Sequence, residues 1–283
     1  MLQINWKLKA LLYKLFGIFK LKNFFYFTQK YITKRSKVEI TEISKFWIYH
    51  ADSIEKNSCK NVLEVGAGKS LEQNIFFSYK FDNLIRQTVI DINEMIDFEL
   101  VNQASEQISN ILKIKNKGEI KNLKQLKNLY EIDYKAPFQL KELKDGKDLF
   151  DICISTAVIE HFSITDLKEY LYDLKNILTK EGLVSSNIDY SDHYSHTDKN
   201  ISGLNYLSYS EKEWKKYNNL YLFQNRLRHQ DYKKIFKYSG YKIKNILLGN
   251  SLKPPSKISN DFDVYNEETF ISCAYFLIGI NNS

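Results

Sequence analysis

Asn61-Val62-Leu63-Glu64-Val65-Gly66-Ala67-Gly68 is the stretch on which the reading of this chain turns. Five residues of mostly apolar, strand-forming character run straight into a Gly-Ala-Gly turn, and a helical pattern resumes near Leu71. Glycine takes left-handed backbone conformations without penalty and lets a ligand approach the main chain, while amides at the start of the next helix offer donors. Strand, glycine turn and helix in succession predict an open α/β sheet with a binding crevice at the carboxyl end of the strand.

Downstream the rhythm continues. Gln87 to Ile92 reads as a second strand that carries Asp91 near its end and flows into a helix from Asn93 to Asn102. Residues 103–128 are lysine-rich and weakly periodic, either helix or loop. Tyr130-Glu131-Ile132 reads as a short third strand and Phe150 to Ser155 as a buried fourth. Leu167, Tyr170, Leu171, Leu174, Ile177 and Leu178 mark a helix ended by Gly182, and Leu183 to Ile188 forms the fifth strand. Such alternation implies right-handed crossovers and a mostly parallel sheet with helices on both faces. Residues 189–229, rich in Tyr, Asn, Ser, His and Asp, break the rhythm and read as an insertion over the site. A helix from Asp231 to Tyr238, a strand from Tyr241 to Leu248, a loop with Pro254-Pro255 and a strand from Thr269 to Ile280 close the chain, the last two strands forming an antiparallel edge.

Upstream, Glu39 to Glu55 reads as a helix, and residues 1–56 are expected to form an N-terminal helical extension to a domain spanning 57–283. Leu8, Leu11, Leu12, Leu15, Phe16 and Phe19 recur at helical spacing, with Lys7, Lys9, Lys14 and Lys20 mostly off that face. This basic amphipathic helix either lies on an anionic membrane surface or packs over the core. Lysines interrupt its apolar region and no small-residue cleavage site follows, which argues against a secretory signal. No run approaches the roughly 18 apolar residues of a membrane-spanning helix.

Composition excludes several classes. Of 283 residues, 43% are hydrophobic and 27% charged, the balance of a folded domain rather than a disordered chain. The net charge of +7 is spread along the length instead of gathered in one stripe, which argues against a nucleic-acid partner. Cys59, Cys153 and Cys273 are odd in number, widely spaced and without a metal-binding pattern, which points to a reducing, cytoplasmic compartment.

The chemistry-bearing residues come in a fixed order: Val62-Leu63-Glu64-Val65-Gly66-Ala67-Gly68, then Asp91, then Phe150-Asp151-Ile152-Cys153-Ile154-Ser155 followed by Val158-Ile159-Glu160-His161. In that order the chain, over roughly Asn61 to Ile188, resembles class I S-adenosylmethionine-dependent methyltransferases. The resemblance implies a Rossmann-like, seven-stranded, mostly parallel sheet with an antiparallel final strand, and S-adenosyl-L-methionine as cofactor. It implies that Glu64, Gly66, Ala67 and Gly68 hold the methionine end, that Asp91 accepts from both ribose hydroxyls, and that Ile92 and Ser155 border the cofactor. A carboxylate suits a vicinal diol because it accepts two bonds without needing a donor. As an alternative, Asp91 would cap the following helix. The chain departs from the family pattern at Ser70, where a third glycine is common, and in Tyr134-Lys135-Ala136-Pro137-Phe138-Gln139, where an adenine-binding acid is usual; Phe138 would either cover the adenine or belong to the core. A dinucleotide-binding fingerprint would need glycine at position 71, where Leu71 stands.

A transferase of this kind must align its acceptor and, for a hydroxyl, remove a proton. His161 follows the fourth strand, and His193 and His196 follow the fifth in Asp189-Tyr190-Ser191-Asp192-His193-Tyr194-Ser195-His196. Histidine suits proton transfer near neutrality. We expect His193 or His196 to be the base and His161 to position the acceptor, against the alternatives of a structural histidine and a polar loop. Asp189, Asp192, His193, His196 and Asp198 mix hard and borderline metal ligands at a spacing that is not diagnostic, so no metal is expected. Asn225, Arg226 and Arg228 offer fixed cations beside hydrogen-bonding groups, suited to phosphate or carboxylate unless they form a surface salt-bridging loop. Asp189 and Asp192 join them as expected acceptor contacts, and Asp192-His193-Tyr194-Ser195-His196, then Trp214, then Asn225-Arg226-Leu227-Arg228 resembles the C-terminal part of bacterial methyltransferases of cell-surface polysaccharide synthesis. That second resemblance implies O-methylation of a sugar or of a glycan-linked, nucleotide-linked or phosphorylated intermediate, at the inner face of the membrane. The alternatives are another small metabolite and an inactive subunit of a glycan-assembly complex.

Overall fold

The computed structural model describes residues 4–19, 21, 37–143, 149–219, 221–263 and 270–281. Its centre is a seven-stranded sheet of β1 (Asn61–Val65), β2 (Arg86–Ile90), β3 (Ile132–Lys135), β4 (Phe150–Thr156), β5 (Leu178–Asp189), β6 (Tyr241–Leu248) and β7 (Cys273–Ile280). The strands stand in the order β3-β2-β1-β4-β5-β7-β6. β1 pairs in parallel with both β2 and β4, while β7 runs antiparallel between β5 and β6. The sheet is Rossmann-like and mostly parallel, as the alternation of strands and helices predicts.

Strand periodicity sends neighbouring side chains to opposite faces, and each face acquires its own core. Val62, Val89, Ile152 and Ile154 face one layer, made by α2 (Lys45–Lys56), α3 (Glu72–Lys80) and α4 (Phe98–Leu112). Leu63, Ile90, Cys153 and Val184 face the other, which holds α6 (Ile164–Ile177) and α7 (His229–Tyr238). A further helix, α5 (Leu123–Tyr130), leads into β3. Because α2 supplies Trp47, Ala51 and Ile54 to the first core, the boundary drawn at residue 57 cuts through a packed layer.

Several element ends differ from the sequence reading, each for a local reason. The segment before α2 is not helical: Val38 and Ile40 donate their amides to Gln103 and Gln107 of α4, and Ser44 then caps α2. The helix expected from Asn93 starts instead at Phe98, where Asp97 accepts the amides of Glu99 and Leu100. α6 ends at Ile177 rather than at Gly182, which has no left-handed backbone and lies inside β5. Thr269, the expected start of the last strand, lies outside the described residues, and β7 begins at Cys273.

The first helix, α1 (Trp6–Ile18), takes neither of the expected arrangements cleanly. Its inward face is Trp6, Lys9 and Ala10, not the leucines. Trp6 sits among Tyr194, Tyr209, Trp214 and Tyr217 of the insertion, its amide donates to Asp198, and the Lys9 ammonium reaches Thr197 Oγ1 at 3.0 Å. Leu8, Leu11, Ile18 and Phe19 are more than half exposed. Among the described residues no helix is long and apolar enough to cross a membrane.

This orientation is testable by urea unfolding. Trp6→Ala should cost about 3–5 kcal/mol, the usual penalty for emptying a buried aromatic site. Leu11→Ser, on the exposed face, should stay within about 0.5 kcal/mol. Equal costs would mean that the leucine face is the buried one.

Candidate active site

The sheet reverses its strand order between β1 and β4, and open α/β sheets bind ligands in the crevice at such a reversal. Gly66 and Gly68 both adopt left-handed backbones, with φ of +76° and +74°. They do different work. A Cβ on Gly66 would lie 2.8 Å from Val158 Cγ2, so glycine here lets the turn after β4 pack against the loop. At Gly68 the same test meets nothing within 4 Å, which leaves the backbone open there. Ala67 packs against the first core. Ser70 donates to Glu72 at 2.8 Å, and Leu71, left-handed and fully buried, fills the space that a dinucleotide fingerprint leaves to glycine.

Directly beneath the loop lies Glu64, only 3% exposed. Gln73 Nε2 donates to its Oε1 at 3.0 Å and Asn74 Nδ2 to its Oε2 at 2.7 Å. Burial pushes its pKa up to about 7, against the pull of those two donors. Its carboxylate is therefore engaged by the start of α3 and shapes the loop from below. Gln73 also accepts from Thr156, Thr156 meets His50 Nε2, and His50 Nδ1 meets Ser185, which bonds to Tyr275. Burial lowers the His50 pKa to about 3, so that imidazole stays neutral. Sequence reasoning missed Gln73, Asn74 and His50. The available signal was polar residues at helix positions that face the sheet.

Asp91 follows β2 and is not a helix cap, since α4 has its own cap in Asp97. Its Oδ1 accepts the Asn93 amide at 2.9 Å, which fixes the carboxylate, and burial raises its pKa. It borders a cavity of about 380 Å³ whose walls include Val65, Ile90, Ile92, Phe138, Leu140 and Phe162. Phe138 is held there by its amide, which donates to the Asp91 carbonyl at 2.8 Å, and it packs on the second core as well. Ser155, by contrast, is fully buried and bonded to Ser186 at 2.8 Å, so it does not face the crevice.

Across the crevice the ends of β4 and β5 bring three histidines into one row. The His161 and His193 rings are 5.0 Å apart, and those of His193 and His196 are 5.2 Å apart. His161 Nδ1 lies 2.6 Å from the Phe223 carbonyl; since a carbonyl only accepts, Nδ1 carries the proton and Nε2 keeps its lone pair. His161 retains an exposed edge, yet enough protein surrounds it that desolvation lowers its pKa. Asp189 Oδ2 stands 3.4 Å from His193 Nε2 and 4.0 Å from His196 Nε2. Burial pushes the Asp189 carboxyl up, but the His193 side chain and the Ser191 amide outweigh it and hold its pKa below the ordinary value. Beside this row lies Glu160, which sequence reading treated only as part of a motif.

The residues expected to bind substrate fare less well. Asp192 is buried, caps the turn that carries His193 by accepting from Tyr194, and also accepts from Asn205; burial raises its pKa to about 6. Arg228 is fully buried and donates to the carbonyls of Tyr190 and Ile271 and to Tyr206. Asn225 donates to the carbonyls of Ile159 and Phe162 and accepts from Leu227 and Tyr232. Arg226 binds the carbonyls of Tyr206 and Tyr209 and the Glu211 carboxylate. Asp192 and Arg226 brace the insertion internally, Asn225 and Arg228 tie it to the turn after β4 and to Ile271, and the two arginines form no cationic patch. Of them, Asn225 and Arg226 still border a second cavity of about 420 Å³, with Trp214 and Phe262.

No family model and no curated protein matches the chain. Among solved structures, it is similar to an S-adenosylmethionine-dependent methyltransferase from Clostridium acetobutylicum at a TM-score of 0.45 and 13% identity, over 93% of this chain and 99% of that one. It is similar to 1,6-didemethyltoxoflavin-N1-methyltransferase from Burkholderia thailandensis, seen with bound S-adenosylhomocysteine, at 0.47 and 12%, over 84% and 76%. It is also similar to the N-methyltransferase NodS from Bradyrhizobium japonicum, at 0.41 and 11%, over 84% and 95%. Likeness at this level leaves the reading of the site to its own geometry.

The Glu64 environment predicts a pH signature. Its folded pKa, about 7, lies above the ordinary 4.5, so the folded state holds the proton more tightly. The stability this gives is complete below about pH 4.5 and is lost as pH rises through 7. Between pH 4.5 and 8 the wild type should lose on the order of 3 kcal/mol relative to Glu64→Gln, read as the difference between their urea-unfolding free energies. Parallel pH profiles would place Glu64 in a far more polar setting.

Proposed function

We propose that the crevice binds S-adenosylmethionine and that the protein is an O-methyltransferase acting on a sugar or on a glycan-linked, nucleotide-linked or phosphorylated intermediate of cell-surface polysaccharide synthesis. The observation that carries the reading is the placement of an oriented Asp91 carboxylate beside a cavity walled by Ile90, Phe138 and Leu140 on one hand and by Lys141, Asp166 and Glu169 on the other, with the open Gly68 backbone and the histidine row at the same sheet edge. The residues fit such a group: Asp91 suits the ribose diol, Phe138, Leu140 and Ile92 suit a flat aromatic base, and Gly66 to Gly68 suit the methionine end. When bound there, S-adenosylmethionine supplies an already activated sulfonium methyl.

What the chain itself must do is orient an acceptor hydroxyl and take its proton. His193 or His196 accepts that proton, with Asp189 beside both rings to stabilise the cation that forms, and His161 positions the acceptor through Nε2. The exposed leucines of α1, next to exposed Lys7 and Lys14, support attachment at the inner face of an anionic membrane.

Calorimetry with S-adenosylhomocysteine should detect binding to the wild type. In Asp91→Ala it should be weaker by roughly 10- to 150-fold, the equivalent of about 1.5–3 kcal/mol for bonds to a charged group. Unchanged affinity in a folded Asp91→Ala protein overturns the cofactor assignment. With candidate sugar nucleotides as acceptors, single-turnover methyl transfer should fall on the order of 10²- to 10⁴-fold in His193→Ala or His196→Ala while cofactor affinity holds. Transfer to an unrelated metabolite alone would replace the glycan acceptor, and binding without transfer to any acceptor would leave an inactive scaffold.

A further inference from the structure

We propose that Glu160, His161 and His193 form a binding site for a divalent transition-metal ion of the zinc class, at the carboxyl ends of β4 and β5. One ligand atom from each of the three lies within 4.8 Å of the others. Sequence spacing gives no hint of this, because two ligands follow one strand and the third follows another.

The independent sign of a missing occupant is Glu160. Its side chain is 1% exposed, and neither carboxylate oxygen has a hydrogen-bond partner among the described residues. The amides of Glu160 and Asp189 lean toward it and offset part of its burial, but neither reaches hydrogen-bond geometry. Buried carboxyl groups are nearly always satisfied, so an orphan aimed at two imidazoles marks a place that a cation completes. The surrounding contacts fit an ion as well. The Phe223 carbonyl fixes His161 by its Nδ1–H and leaves the Nε2 lone pair available, which is the outer contact that metal-binding histidines show. Asp189 Oδ2 is a looser neighbour of the second ring, 3.4 Å from His193 Nε2.

Two imidazoles and one carboxylate form a ligand set that zinc accepts with a fourth position open, and imidazole favours first-row transition ions over magnesium or calcium. Ligands about 2.0–2.1 Å from a tetrahedral ion stand about 3.3 Å from one another, so binding draws the three groups together by up to roughly 1.5 Å. The exposed edge of His161 leaves room for that rotation.

The site stands whether or not the protein transfers methyl groups; only its role rests on the proposed reaction. Held in the open position, an acceptor hydroxyl would be made more acidic by the ion. His196 would take the proton as the O–H bond broke, and the oxygen would bond to the methyl carbon while the carbon–sulfur bond broke with its electron pair returning to sulfur. With His161 and His193 as ligands, His196 becomes the base.

The test uses the full, untagged chain after chelator treatment, titrated with zinc chloride by calorimetry and with cobalt(II) chloride by absorption. One ion per chain is expected. Glu160→Gln and His193→Ala should each lose at least about 100-fold in affinity, beyond the 10- to 100-fold typical of outer contacts. Should either variant fail to fold, histidine-selective NMR of the wild type decides: cobalt(II) should broaden the ring signals of His161 and His193 and spare those of His50 and His229. Absence of stoichiometric binding, undiminished affinity in folded Glu160→Gln, or uniform broadening of all five histidines overturns the site. Ion binding without S-adenosylhomocysteine binding would keep the site and remove the methyl-transfer reading; the reverse would do the opposite.

Discussion

A carboxylate held out of water beneath a glycine loop is the constraint on which this architecture depends. Glu64 cannot be left without donors, because an unpaired buried charge costs far more than any single packing contact returns. Gln73 and Asn74 meet it from the first turn of α3, so the angle at which that helix leaves the loop is fixed by hydrogen-bond geometry and not by packing alone. Through Thr156, His50, Ser185 and Tyr275 the same chain of bonds reaches β4, α2, β5 and β7. Buried polar networks specify one arrangement when nearly every member is satisfied. Here the network crosses the sheet at its reversal point, the place where the crevice needs rigidity.

The insertion after β5 solves a different problem. Residues 189–229 are polar, yet their polar groups are largely spent on one another and on the strands they cover. Arg228 ties the carbonyls of Tyr190 and Ile271, Asn225 ties the turn after β4, and Trp6 of α1 completes the aromatic cluster around Trp214. What remains directed at the crevice is the histidine row and its neighbouring acids. A polar segment thus behaves as scaffold with a small reactive edge.

Much of this was legible in the sequence because period-two alternation has a direct physical cause. Val62 and Leu63 go to opposite faces whatever the rest of the chain does, so β1 and the core of β4 fall where the pattern places them. Asp91 stands one residue past β2, and the helix that follows begins seven residues later, at Phe98, with its own cap in Asp97. The helix ends were less legible. Asp97 and Ser44 compete with other polar residues nearby, and only tertiary bonds decide which of them caps. Burial was the hardest quantity to read. Arg226 and Arg228 look like a cationic patch in a line of letters, and nothing local says that carbonyls from distant strands will surround them. Glu160 is hard to read for the opposite reason: in the sequence it is one more letter of the motif that ends in His161, and its lack of partners exists only in three dimensions.

The contact between Gly66 and Val158 has an evolutionary consequence. It joins the loop that follows β1 to the turn that carries Glu160 and His161, with no slack for even one methyl group. The two walls of the crevice therefore cannot drift independently. A bulkier residue at position 66 would displace the reactive turn, and trimming Val158 would restore the room but not relieve the left-handed backbone. Epistasis across this single contact confines the mutational paths open to the site: specificity can change at the insertion and along the far wall, while the seam between the two walls stays as it is.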